Sequence, residues 1–240
     1  MDFALLGICY DKTQTLRKGA AKAPKLIRKI FPKLETYLSG VDLSEAFVED
    51  LGNISPKNIK DLMKKTFEKL NTKKFPIIIG GEHTITLATV KKLKPKTIVV
   101  LDAHPDCENK NDHSGIVRKL IEDGYRVILY GVRTFSKKEE EFIRKNRIKM
   151  ASLKYLKNIK GPIYLSIDFD VLDPSIIPSV GNPEPNGLSF EQVLKVIRIL
   201  SKKLIAVDFV EFTPTKNDIY TLIAGKLIYF TLAEILKVRK

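Results

Sequence analysis

The chain has 240 residues, 44% of them hydrophobic, enough for one sizeable core and near the upper end for a single domain. Its 42 Lys and Arg against 28 Asp and Glu leave a net charge of +14, which raises nucleic acid as a partner. The basic residues are spread as pairs along helix-like stretches such as Lys57 to Lys74 and Lys137 to Lys149 rather than gathered with aromatics, so they read as solvated faces and nucleic acid is set aside.

Cys9 and Cys107 are too few for a disulfide framework, and Met1 to Tyr10 is a short apolar strand rather than a leader. The apolar runs stop at strand length, well short of the roughly 20 residues of a spanning helix, so no membrane contact is expected. The expected compartment is the cytoplasm. Abundant Lys and Ile, three Met and no Trp suit a protein from a hot environment.

Along the chain, short apolar runs alternate with stretches whose apolar residues recur every three or four positions. Phe3 to Gly7 reads as a strand, Lys57 to Leu70 as a helix, Pro76 to Gly80 as a strand and Thr84 to Lys92 as a helix. Strands at Ile98 to Leu101 and Val127 to Tyr130 bracket a helix at Ile116 to Gly124, and Lys137 to Lys145 is helical again. The strand Ile163 to Ile167 is followed by a loop at Asn182 to Gly187, a helix at Phe190 to Lys202, a strand at Leu204 to Phe209 and a helix at Gly225 to Val238. This βαβα order predicts an α/β fold on a mainly parallel sheet. No linker, repeat or low-complexity segment interrupts it, so residues 1–240 read as one domain.

In such sheets ligands gather beyond the carboxyl ends of the strands, and three of these strands end in charged clusters. The run to Leu101 continues into Asp102-Ala103-His104-Pro105-Asp106, where residues two apart project to one side of an extended chain. The run to Ile167 ends in Asp168-Phe169-Asp170, and the run to Gly80 ends in Gly81-Glu82-His83. Burying Asp102, Asp106, Asp168 and Asp170 together would be strongly repulsive unless positive charge sat among them, and two divalent cations would balance it. A lone Asp after a strand is more often a helix cap, but two of only three His fall in these acidic strand ends. An oxygen-rich set with two imidazoles and no Cys suits Mn²⁺, with Fe, Co, Ni or catalytic Zn left open. Asp173, before Pro174, reads as a turn residue rather than a ligand.

Gly80-Gly81-Glu82-His83, Asp102 to Asp106 and Ser166 to Pro174 resemble the three metal-binding motifs of the ureohydrolases, the arginase and agmatinase family. The resemblance continues through Leu6-Gly7, Gly19 to Arg28, Asp50 to Asn53, Gly181 to Ser189 and Asp208 to Pro214, nearly the whole chain. It implies a three-layer α/β/α sandwich, assembly into trimers or hexamers, and two Mn²⁺ ions. One ion would be held by His83, Asp102, Asp106 and Asp168 and the other by Asp102, His104, Asp168 and Asp170, with Asp102 and Asp168 bridging. A water acidified between two such ions would attack a guanidinium carbon. By the same resemblance Glu211 would pair with the guanidinium and His113 would pass a proton to the leaving amine.

The sequence departs from the family pattern twice. Glu82 stands where the family usually has Asp, and Asp106 to His113 is shorter than in the relatives and lacks the Asn- and Thr/Ser-bearing loop with which arginases recognise the amino-acid end. The second departure favours agmatine, cleaved to putrescine and urea in polyamine biosynthesis, over arginine. Arginine, aminopropylagmatine, guanidinobutyrate and formiminoglutamate remain alternative substrates, and a catalytically inactive metal-binding regulator is the alternative of another class.

Overall fold

The computed structural model describes residues 2–216 and 219–239. Eight strands form one sheet in the order β4-β1-β5-β10-β9-β6-β7-β8, and every adjacent pair is parallel. These are β1 (Phe3–Ile8), β4 (Val48–Ile54), β5 (Phe75–Ile79), β6 (Thr97–Leu101), β7 (Arg126–Tyr130), β8 (Lys149–Met150), β9 (Ile163–Asp168) and β10 (Leu204–Val210). A two-residue pair, β2 (Tyr37–Leu38) and β3 (Val41–Asp42), forms a separate antiparallel ribbon.

Side chains alternate across each strand, so each strand feeds two cores. Val99 and Leu101, Leu165 and Ile167, Val207 and Phe209 face α1 (Ala23–Ile30), α6 (Leu153–Asn158), α7 (Phe190–Leu200) and α8 (Ile219–Lys237). Ile98 and Val100, Tyr164, Ile78 and Val210 face the opposite way, against α2 (Ile59–Lys69), α3 (Ile85–Leu93), α4 (Ile116–Glu122) and α5 (Lys137–Lys145). The result is the three-layer sandwich, and each fully buried Ile, Val or Leu of the central strands contributes about 1.5–3 kcal/mol.

The sheet is wholly parallel among the described residues, and the predicted strands recur within one or two residues at each end. Strand β4 was not expected, because it is an edge strand whose mostly unburied sequence Val-Glu-Asp-Leu-Gly-Asn-Ile lacks an apolar run. Helices α1 and α6, at eight and six residues, are too short for a clear period. Helix α8 corrects two expectations. It starts six residues before Gly225, and its 19 residues are long and apolar enough to cross a membrane, contrary to the reading that no such stretch exists. Most of it is buried against the sheet, α1 and α7, and a helix apolar nearly all round shows no amphipathic stripe from which its start could be read.

The last two sheet strands in sequence, β9 and β10, fill the gap between β5 and β6. Residues from four distant segments therefore end side by side: Leu101 is level with Ile167, Ile167 with Phe209, and Phe209 with Ile79.

Candidate active site

Each of these four strands delivers functional groups immediately past its carboxyl end. Strand β5 gives way to Gly80-Gly81-Glu82-His83 and then α3. Gly81 is required by packing, since a Cβ there would sit 1.9 Å from the carbonyl oxygen of Tyr10. Strand β6 runs into Asp102, His104 and Asp106, β9 into Asp168 and Asp170, and β10 into Glu211. Asp106 (φ 48°) and Glu211 (φ 63°) both hold left-handed backbone conformations that L residues rarely adopt, a strain the surrounding packing must sustain.

Two groups of potential ligand atoms form there, His83 with Asp102 and Asp168, and Asp102 with His104 and Asp170, the atoms of each group lying within 4.8 Å of one another. Asp102 belongs to both. His83 Nδ1 stands 3.2 Å from Asp102 Oδ2, 3.0 Å from Asp106 Oδ2 and 3.6 Å from Asp168 Oδ2. His104 Nδ1 stands 2.9 Å from Asp170 Oδ2 and 3.6 Å from Asp102 Oδ1. Asp106 thus adjoins the first group, and Asp168 lies in the first group but not the second.

The ring of His83 is held from behind. Its Nε2 lies 3.0 Å from Ser166 Oγ, Ser166 donates to Asp208 Oδ1 (2.6 Å), and Asp208 also accepts from Thr86 and Tyr164. With Nε2 donating to this network, Nδ1 is the nitrogen left facing the carboxylates, and it would give its lone pair to an ion bound among them. His83 Nδ1 and Asp102 Oδ2 are buried without a hydrogen-bond partner, close to each other yet aimed at shared space. That is the pattern expected of metal ligands.

The electrostatics agree. Burial, then the charges of Asp170, Asp102 and Glu211, push the carboxyl of Asp168 well above the carboxylate range. Burial and Asp102 push Asp106 up to about 6, and burial pushes Glu211 up to about 8. Burial disfavours charge on His104, yet hydrogen bonds to Asp102 and Asp170 carry it up to about 12. These groups compete for protons that divalent cations would replace, so the donor set fits two such ions.

A cavity of about 290 Å³ opens onto this cluster. Seven carboxylates line it (Asp106, Glu108, Glu139, Asp168, Asp170, Glu184 and Glu211) and, among the described residues, neither Lys nor Arg does. Glu211 is buried on its wall, accepting from the His83 amide (2.7 Å) and from Gln14 Nε2 (2.8 Å). His113 lines the same cavity, its Nδ1 buried and without a partner. The eight residues expected from the sequence therefore converge in one place.

Other participants escaped the sequence reading. Asn182 Nδ2 lies 2.8 Å and Glu184 Oε1 3.5 Å from His104 Nε2, although the sequence reading gives Asn182 to Gly187, a loop within the family resemblance, no part in the site. Arg133 holds that loop by donating to the carbonyls of Pro185, Glu184 and Asp170. Thr13 and Gln14 come from a segment with no motif signal at all. Ser166 was within reach of the alternation rule, lying two residues before Asp168.

The sequence profile of the arginase family matches residues 1–233. The N(1)-aminopropylagmatine ureohydrolase of Thermococcus kodakarensis is 34% identical over 98% of this chain and 91% of its own length. The agmatinase of Pyrococcus horikoshii is 31% identical over 96% and 91%. Among solved structures, the agmatine ureohydrolase of Thermoplasma volcanium superposes with a TM-score of 0.89 at 30% identity, covering 98% of this chain and 90% of that one. With candidate metal ligands at its strand ends, a three-layer fold and a profile match across nearly its whole length, this chain belongs to the arginase family.

Proposed function

We propose that this chain hydrolyses a cationic guanidino compound of the agmatine type to urea and an amine, with two divalent cations, Mn²⁺ first among them. The observation that carries the reading is the cavity wall: beyond the three aspartates assigned to the ions, Glu108, Glu139, Glu184 and Glu211 face a substrate entering toward the two ligand groups, and no Lys or Arg lines the wall among the described residues. A guanidinium with an ammonium at its far end is attracted along that wall, whereas the α-carboxylate of arginine meets like charge and no cationic partner. The short Asp106 to His113 stretch and the named activities of the two relatives above point the same way.

His83, Asp102, Asp106 and Asp168 would hold one ion, and Asp102, His104, Asp168 and Asp170 the other. When bound, the pair supplies Lewis acidity that makes hydroxide available near neutral pH. The chain's own groups do the rest. Glu211, its carboxylate oriented by the His83 amide and Gln14, pairs with the planar guanidinium. The free Nδ1 of His113, on the same cavity, passes a proton to the departing amine. Glu82 does not weaken the site, because its carboxylate is taken up by Thr13 and Gln14 rather than by the metal ligands.

Urea release from agmatine, aminopropylagmatine, arginine and guanidinobutyrate, each with Mn²⁺ and with a chelated control, tests the proposal. Chelator-sensitive urea from agmatine or its aminopropyl derivative is the expected result. Preference for arginine would overturn the substrate class, and urea from none of them would overturn the activity.

A further inference from the structure

Glu82 is fully buried, and its two carboxylate oxygens satisfy three donors of a single loop. Oε1 accepts from the Thr13 hydroxyl at 2.6 Å, and Oε2 accepts from the amides of Thr13 and Gln14 at 2.7 and 2.8 Å. The Glu82 amide in turn donates to the carbonyl of Tyr10 (2.8 Å), so the loop is gripped at both its start and its middle.

Two branches leave this anchor. The Thr13 hydroxyl oxygen accepts from the amide of His113 at 3.0 Å. The Gln14 side chain donates to Glu211 Oε2 at 2.8 Å, while its Oε1 accepts from the amides of Gly19 and Ala20 and so cannot turn away freely. One buried carboxylate therefore reaches both groups assigned to substrate chemistry, which lie 31 and 129 residues away in sequence. The usual Asp would be shorter by one carbon–carbon bond, about 1.5 Å, and would leave these donors beyond hydrogen-bond reach unless the loop moved.

We infer that Glu82 is a positioning residue that sets His113 and Glu211 together, through Thr13 for one and Gln14 for the other. Both its carboxylate oxygens are taken by the Thr13–Gln14 loop, so it acts by holding the loop. The kinetic side of the inference rests on the hydrolase reading above; the placement of His113 does not.

The test uses Thr13→Val, Gln14→Leu and Glu82→Gln in the Mn²⁺-loaded enzyme, on whichever guanidino substrate the wild type cleaves, together with hydrogen exchange on the metal-free proteins. Thr13→Val cuts the first branch and is expected to lower kcat about tenfold with KM within about twofold, the worth of one net hydrogen bond. Gln14→Leu cuts the second and is expected to raise KM by a similar factor. Glu82→Gln places an amide N–H against the loop donors and combines both effects. In exchange experiments Thr13→Val should speed the His113 amide while the strands of the sheet keep wild-type protection.

Unchanged kcat and KM in both Thr13→Val and Gln14→Leu would overturn the inference, as would faster exchange spread evenly over the sheet, the mark of general destabilisation. If the wild type releases no urea from any substrate, the hydrolase reading fails and the His113 exchange arm alone decides whether Glu82 positions it.

Discussion

Two regions of the sheet use aspartate in opposite ways. At the rim, Asp50 on the edge strand β4 meets Arg28 of α1 in a fork, Nε to Oδ2 at 3.0 Å and a terminal nitrogen to Oδ1 at 2.9 Å. The hydrogen bond from Arg28 holds the Asp50 carboxyl below its ordinary range. At the centre, Asp106, Asp168 and Asp170 are buried with their pKa values pushed upward, facing two histidines and no Lys or Arg. The rim completes its charge balance within the chain, and the centre is built to be completed from outside. Buried carboxylates clustered without Lys or Arg mark a binding site, and carboxylates already paired mark a fastening.

The largest effect that would break this comparison belongs to Asp102, the one residue common to both ligand groups. Changes around metal ligands commonly cost about 10–100-fold, so Asp102→Asn should exceed about 100-fold in urea release and lower the Mn²⁺ bound per chain. Full activity at full metal content would refute its assignment. His113→Ala should come next, lowering kcat about 100-fold, the low end of general acid–base contributions, while metal content stays at the wild-type level. Equal kcat in the two proteins would remove His113 from proton transfer.

Stability sharpens the contrast between the two regions. Mn²⁺ at 100 times its dissociation constant should add about 2.7 kcal/mol per site, roughly 5–10 °C in Tm for a chain of this size. Neutralising a central carboxylate by Asp168→Asn should raise Tm of the metal-free protein and shrink the gain on adding Mn²⁺, as calorimetry can show. A metal-free wild type as stable as the loaded one would mean that the centre is not electrostatically frustrated.

The rim should respond with the opposite sign and least strongly. Asp50 is half exposed, so solvent screening limits the loss in Asp50→Asn to about 1 kcal/mol or less, with or without metal. Because its folded pKa is depressed, its contribution is present above the unfolded value near 3.8 and is lost as pH falls through the folded one. The Tm gap between wild type and Asp50→Asn should therefore close on acidification below about pH 3.8 and persist at neutral pH. A gap that persists in acid would assign the loss to packing instead of charge.

The sequence was legible where local rules act alone. Buried parallel strands must be continuous apolar runs, so β5, β6, β9 and β10 stand out, and the acidic residues at their ends stand out against them. Strand β4 and the first turns of α8 were not legible, the one because an edge strand needs no apolar run, the other because a helix buried on nearly all sides has no stripe. Asn182 and Gln14 carry no signal of their own, since a polar loop residue looks alike whether it faces water or a histidine.

By itself, then, the sequence determined the α/β class, the three acidic strand ends and the histidines among them, because alternation and strand length are properties of neighbouring residues. Only the tertiary structure decided that β9 and β10 enter between β5 and β6, which brings those ends level. It alone turned Glu82 toward Thr13 and Gln14, and left the cavity lining without Lys or Arg among the described residues. Those outcomes depend on contacts between residues far apart in the chain, whose pairing is set by the packing of the whole sheet and not by any local pattern.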